Sequence, residues 1–295
     1  MKMLIFGADG FIGSHLVVIL KAHIVYTATR NGQISDHSFN VDLSDRASVL
    51  AVMDKVHPDV IVNCAGIVAN TDAANMNVVF SENILNAVHQ SSGSNPKVII
   101  CGSAGTYGFV QPEDVPVSET TLQRAKHGYG LSKLNEEKRS LELGQKFGIP
   151  VIVARIFNPI GKGMHERFLI PQIIQQVRDC KNGFRKTLEV SRLDSKRDYI
   201  AVKDVAEALK KLAEDTPKDN IYNIGSGKAT SNKDLIDAVI REIGLETIPD
   251  VVQTSDKPEQ LVAIQADIRR ISDEFEWHPK HPLTDVIKEI IDATR

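Results

Sequence analysis

Cysteine is scarce in this chain: Cys64, Cys101 and Cys180 lie far apart among 295 residues and form no CxxC pair. That argues against a disulfide framework and paired-thiol metal sites, and leaves free thiols in a reducing cytoplasm as the expected state. Nine histidines are present, but none falls in an HExxH or related spacing, so no metal site is expected. Runs of lysine and arginine are missing too. With 35 basic against 38 acidic residues the formal net charge is −3, so nucleic acid is not an expected partner. Long apolar runs are also absent: stretches such as DVIVNCAGIVA at 59–69 are strand-sized and interrupted, which excludes a membrane-spanning helix. No charged segment leads into an uninterrupted apolar one in the manner of a secretory leader, and a cytoplasmic location is expected. Neither an internal repeat nor a low-complexity linker is present.

What remains is an ordinary globular composition, 42% hydrophobic and 25% charged, at a length that suits one large domain or two intimately joined ones. Strand-like and helix-like segments alternate: KMLIF, a helix over 11–21, HIVYTAT, a helix over 46–55, DVIVNCA, a helix over 75–91, KVIICGS, a helix over 129–147, then PVIVARI. Such alternation predicts parallel strands joined by crossover helices. PDVIVNCA and NPKVIICG are near-continuous apolar runs after a proline, as expected of central strands covered on both faces. After residue 157 the rhythm changes, beginning with the polar loop NPIGKGMHER. The expected fold is α/β, a Rossmann-like doubly wound parallel sheet with a smaller interleaved C-terminal substrate domain. Residues 1–157, joined again by 198–224, are expected to form the first unit, and 158–197 with 225–295 the second.

Behind the first strand, GADGFIG places glycine at 7, 10 and 13. Gly7 permits a sharp strand-to-helix turn, Gly10 lets a pyrophosphate approach the backbone, and Gly13 lets helix and strand pack closely. The unpaired N–H groups and positive end of the following helix, which begins at Phe11 and Ile12, would face that phosphate. A second chemical signal is YGLSK, in which Tyr129 and Lys133 stand at i and i+4 on one helix face. A phenol exchanges protons poorly at neutral pH unless a nearby cation lowers its pKa; Lys133 can supply that cation and also reach a bound ribose. Ser103 stands at the carboxyl end of a predicted strand, 26 residues before Tyr129. Ligands of open α/β sheets bind in the crevice outside such ends.

These motifs continue through the chain: VDLSD with Asp42, NCAG at 63–66, ARIFNPIG with Asn158, KRDYIAVKDVAEAL with Arg197 and Asp204, and YNIGSG at 222–227. Taken with GxxGxxG, Ser103 and Tyr129xxxLys133, they resemble the extended short-chain dehydrogenase/reductases, also called the NAD-dependent epimerase/dehydratase family. The resemblance covers essentially the whole chain. It implies an enzyme that holds a nicotinamide dinucleotide in its first domain and a nucleoside-diphosphate sugar in its second. It implies catalytic roles for Ser103, Tyr129 and Lys133, with Gly7, Gly10, Phe11, Ile12, Gly13, Asp42, Leu43, Ala65 and Gly66 along the cofactor. Asn158 and Arg197 would bind the substrate diphosphate, for which an arginine fork is well shaped. A homodimer is implied as well, the helices near 75–91 and 129–147 pairing with their symmetry mates.

Two stretches, VQPEDVPVSETT and RLDSKRDY, resemble the branch that reduces GDP-linked 4-keto-6-deoxy sugars, and the second also resembles GDP-mannose dehydratases. Dehydratases of the family generally place an acidic pair after the active serine or threonine. Ala104 and Gly105 stand there instead, so the acid and base for dehydration are missing. The expected reaction is NAD(P)H-dependent reduction of a nucleotide-linked 4-keto-6-deoxy sugar, with GDP the favoured nucleotide. A nucleotide-sugar 4-epimerase with bound NAD, and a non-enzymatic cofactor-sensing protein on the same fold, are the alternatives. The second strand ends in Thr29-Arg30-Asn31 without an acid for a ribose 2′-hydroxyl, so NADP(H) is expected over NAD(H), Arg30 pairing with the 2′-phosphate. Departures from the family pattern are Lys257, a substrate contact where arginine is usual, Phe80 where glycine is usual, and Gly128 where proline is usual. The reductase branch also commonly has an acid near Gly105.

Overall fold

Alternation along the first strand lets one sheet be covered twice. In β1 (Lys2–Phe6), Met3 and Ile5 enter one core while Leu4 and Phe6 enter the other. The computed structural model describes all residues except 33, 70, 92, 94, 248, 255–262 and 295. After β1 come α1 (Phe11–Ile19), β2 (Ile24–Thr29), β3 (Ser38–Asn40), α2 (Arg46–Val56), β4 (Val60–Asn63), α3 (Met76–Gln90), β5 (Lys97–Ser103), α4 (Gly128–Phe147) and β6 (Val151–Ile156). Then follow β7 (Asn158–Ile160), α5 (Leu169–Lys181), β8 (Thr187–Val190), β9 (Lys196–Ala201), α6 (Val202–Glu214), β10 (Ile221–Ile224), β11 (Ala229–Ser231), α7 (Asn232–Ile243), β12 (Asp250–Gln253), α8 (Arg269–Phe275) and α9 (Leu283–Ala293). The four helices expected in the first half occur within two residues of their expected bounds. The strand β3 was not expected, because three residues carry no readable period.

Seven strands form a parallel sheet in the order β10-β6-β5-β4-β1-β2-β3. The winding direction reverses between β1 and β4, where loops diverge to either side and leave a crevice beyond the strand ends. Leu16 and Leu20 at α1 and Val205, Leu209 and Leu212 of α6 cover one face. Val49 and Val52 of α2, Ile84 and Leu85 of α3 and Leu143 of α4 cover the other. A smaller mixed sheet, β11-β9-β7, and the parallel pair β12-β8 accompany α5, α7 and α9, whose Ile173, Val177, Leu235, Val239, Ile287 and Ile291 belong to a separate core. The fold is thus the expected α/β class, a Rossmann-like parallel sheet with a smaller C-terminal mixed sheet. Among the described residues no helix is long and apolar enough to cross a membrane.

One charged residue interrupts the apolar run of β6 and fixes the helix that faces the crevice. Arg155, 3% exposed, donates to Glu137 of α4 through Nε (2.9 Å) and Nη2 (2.6 Å). Its Nη1 donates to Tyr107 Oη (3.0 Å) and to the Glu119 carbonyl (2.9 Å). Tyr107 in turn donates to Asn223 Oδ1 of β10 at 2.6 Å. A buried pair of this kind is tolerated because its hydrogen bonds replace lost water, and losing one partner would leave an uncompensated charge. Burial pushes the Tyr107 phenol up to about 12, against the pull of Arg155.

Candidate active site

A cavity of about 840 Å³ runs along the carboxyl ends of the large sheet. At one end lies the glycine turn. Gly7 has φ +69°, and a Cβ there would stand 2.6 Å from the Ala65 nitrogen, so a side chain is both strained and blocked. Gly10 N donates to Gly7 O at 3.0 Å and closes the turn. Gly10, Phe11 and Ile12 then line the cavity at the start of α1, where first-turn N–H groups lack helical partners. Gly13 does not line it: a Cβ there would lie 2.2 Å from Gly7 O, so this glycine serves the packing of helix on turn. A tight glycine turn whose Gly7 and Gly10 line the cavity at a helix N-terminus fits a dinucleotide pyrophosphate.

The far wall of this end carries Thr29, Arg30, Asn31, Asp42 and Leu43. Thr29 Oγ1 is buried with no hydrogen-bond partner among the described residues. Asp42 Oδ1 accepts from the Ser44 hydroxyl (2.7 Å) and backbone N–H (2.9 Å). Those two bonds, helped by the Arg30 charge, hold the Asp42 carboxyl below its ordinary range despite slight desolvation. Two asparagines of α3 clamp the loops of the cavity. Asn77 accepts from Ile67 N (2.7 Å) and donates to Ile67 O (3.1 Å), while Asn83 donates to Leu43 O (2.8 Å). Between them Phe80, where the family usually has glycine, lines the cavity.

Ser103, Tyr129 and Lys133 come together at the centre. Ser103 Oγ accepts from Gly105 N at 3.0 Å, and a Cβ on Gly105 would stand 3.2 Å from that oxygen and 3.8 Å from Tyr129 Cδ1. A Cβ on Gly130 would reach within 2.5 Å of Gly105 O, so the turn after β5 seats directly on the start of α4. Lys133, 3% exposed, is ion-paired with Glu136 on the same helix. Burial works against its charge, but the Glu136 and Tyr129 oxygens outweigh it and lift the lysine pKa above the ordinary value. Glu136 also accepts from Ser81 Oγ (2.7 Å), which accepts from Asn63 Nδ2 (3.3 Å); Asn63 Oδ1 accepts from Ala65 N (3.1 Å). A chain of bonds therefore connects Lys133 to the loop opposite. Sequence reasoning missed Glu136, whose one signal was an acid one turn beyond Lys133 on the inward face.

At the other end Asn158 lines the cavity and donates to Asp198 O at 2.8 Å. Arg197 does not line it. Its Nη1 donates to Lys196 O (2.8 Å), and its charge acts on Tyr199, whose side chain is in the wall. Burial pushes that phenol up to about 12, with Arg197 opposing. Neither acid near Arg197 in sequence is left open to it: Asp194 pairs with Arg192 (2.9 Å), and Asp198 accepts from Ser226, Gly227 and Ala266 nitrogens. His165 and Arg167 line the cavity instead, from the loop GMHER that sequence reasoning read only as polar. Lys257 lies outside the described residues. Among the described residues, the carboxylates lining the cavity are Asp9 and Asp42, both at the end of the glycine turn.

Residues 3–225 match the NAD dependent epimerase/dehydratase family. The chain belongs to that family. As a member it is an NAD(P)-dependent nucleotide-sugar oxidoreductase or epimerase of the extended short-chain dehydrogenase/reductase kind, not a bystander on the fold. It is 26% identical to GDP-6-deoxy-D-mannose reductase of Pseudomonas aeruginosa, over 98% of this chain and 96% of the relative. It is equally 26% identical to UDP-glucose 4-epimerase GEPI48 of Cyamopsis tetragonoloba, over 97% and 93%. The structure of RMD from Pseudomonas aeruginosa complexed with NADPH superposes with a TM-score of 0.86 at 25% identity, covering 99% of this chain and 98% of that one.

Proposed function

We propose that the protein reduces the keto group of a nucleoside-diphosphate 4-keto-6-deoxy sugar, GDP-linked by preference, with NADPH as reductant. One cavity carries this reading: it joins the glycine cradle to Ser103, Tyr129 and Lys133 and extends to Asn158, and among the described residues its carboxylates are confined to the cradle end. Dehydration needs an acid and a base beside the sugar, whereas reduction needs one proton donor there. When bound, the nicotinamide supplies hydride to the keto carbon. Tyr129 gives its phenolic proton to the oxygen on which charge develops, and Ser103 Oγ orients that oxygen. Lys133, held by Glu136, sets a fixed positive charge beside the phenolate that remains. The diphosphate lies between Asn158 and the cations of this end, Arg197 behind Tyr199 and Arg167 in the opposing loop.

On the same reading, residues 1–157 with 198–224 serve the dinucleotide, and 158–197 with 225–295 serve the sugar nucleotide. Arg30, with Thr29 and Asn31, takes the 2′-phosphate. The Thr29 hydroxyl, buried and without a partner among the described residues, supports a ligand oxygen at this wall. We place the protein in a reducing cytoplasm as a homodimer.

A 4-epimerase using the same three residues and a retained NAD is favoured by the epimerase relative. The two are told apart by incubating the protein with GDP-, dTDP- and UDP-linked 4-keto-6-deoxy sugars and NADPH, following nicotinamide absorbance. Stoichiometric loss of absorbance with a GDP-linked substrate is the expected result. Interconversion of UDP-glucose and its 4-epimer with no net absorbance change would move the assignment to the epimerase.

A further inference from the structure

Cys64 and Cys101 meet in the cavity wall. Asn63, the last residue of β4, pairs with Ile100 of β5, so the two cysteines are the next neighbours in register. Adjacent strands run roughly 4.8 Å apart, within the Cα separation of about 4.4–6.8 Å that a disulfide accepts. The sulfurs are 3.6 Å apart, Cys101 Sγ donating to Cys64 Sγ, and both residues line the cavity. Cys180 sits elsewhere, on α5 against the separate core, and serves as an internal reference.

We propose that Cys64 and Cys101 form a dithiol modification site that a peroxide-class oxidant closes to an intramolecular disulfide. One thiolate attacks a peroxide oxygen and becomes a sulfenic acid as water leaves; the second sulfur attacks the first and expels its hydroxyl as water. Two thiols and one peroxide thus become one disulfide and two waters. The hydrogen bond with Cys101, and after it removal from water, holds the Cys64 thiol well above the ordinary cysteine range, with Lys133 opposing. Closure is accordingly slow at neutral pH and faster as pH rises. It draws the sulfurs from 3.6 Å to about 2.05 Å. It ties together the strand end that feeds Ala65 and Gly66 and the strand end that carries Ser103, so it bears on both walls at the cavity centre.

The test treats the full chain with hydrogen peroxide at mildly alkaline pH, then alkylates free thiols and maps the peptides by mass. The expected product has lost two hydrogens, retains an alkylated Cys180, contains a Cys64 peptide linked to a Cys101 peptide, and reverts with dithiothreitol. Cys101→Ser should yield no linked peptide. Three alkylated cysteines after oxidation, or separate sulfinic acids with no linkage, would overturn the proposal. NADPH at saturation should slow linkage severalfold, an effect that rests on the cofactor reading of the cavity. Linkage at the same rate with and without NADPH would uphold the dithiol and count against that reading instead.

Discussion

Tyr129 and Lys133 share a helix face as their spacing required, but Lys133 sets its charge against a buried Glu136, which keeps the ammonium in place where water cannot solvate it. Tyr129→Phe removes the proton donor and almost no volume. Turnover is expected to fall by about two to four orders of magnitude, with cofactor affinity retained. Near-normal turnover with chemistry rate-limiting would mean another group gives the proton. Arg30 is exposed, near Asp42, and faces the cavity. Arg30→Ala should weaken NADPH binding and leave NADH nearly unchanged, as read by titrating each cofactor; equal loss for both would assign the residue to the loop rather than to the 2′-phosphate. The diphosphate end has two cations to compare. If Arg197 reaches the substrate, Arg197→Ala weakens GDP binding in calorimetry by about tenfold, a charge-assisted contact of 1.4 kcal/mol or more. If only Arg167→Ala has that effect, the anchor is the loop after β7.

Elements are pinned by side chains at their ends. The start of α8 is held by Asp267, whose Oδ1 accepts from Arg269 N at 3.0 Å and whose two oxygens also take the Arg269 guanidinium. Those bonds, the guanidinium first, hold the Asp267 carboxyl below its ordinary range although desolvation opposes them. A depressed folded pKa means that the stabilisation is complete above the unfolded value, about 3.9, and is lost as pH falls through the folded one. Asp267→Asn should therefore be less stable than the parent in urea at pH 7. The gap should narrow as pH drops below about 4; a gap independent of pH would show that shape rather than charge secures the helix. The capping box of α7, Ser231 with Asp234, is the same device in a form a sequence displays directly.

At the scale of the whole molecule the dimer is an expectation carried by the resemblance, and the buried leucines of α4 offer it no apolar face. Leu134 and Leu143 are buried in their own chain, and Leu141 packs against the same core. The exposed side of α3 and α4 instead bears Arg139, ion-paired with Glu82 and, at 3.0 Å, with Glu142. Sedimentation velocity at micromolar concentration should still give a dimer, now held by a polar face, so that Arg139→Glu and high salt both weaken it. A monomer under all conditions would remove the dimer.

Several features were decided by the sequence alone because they are local. A glycine turn, a Tyr-to-Lys step of four on one helix and a serine at a strand end each need only the geometry of one element, and all were legible. So was the fold class, since the alternation of apolar runs admits few ways to cover a parallel sheet. Tertiary structure decided what lies between elements distant in the chain. Glu136 meets Ser81 across two helices, Asn83 reaches Leu43, Cys64 meets Cys101 across two strands, and Arg155 binds both Glu137 and Tyr107. Arg197, placed at the diphosphate by its motif, does not line the cavity, while Arg167 does. A side chain's type and spacing state what it can bond, but its partner is set by strand register and by which helices the sheet brings together, and no window of sequence contains both.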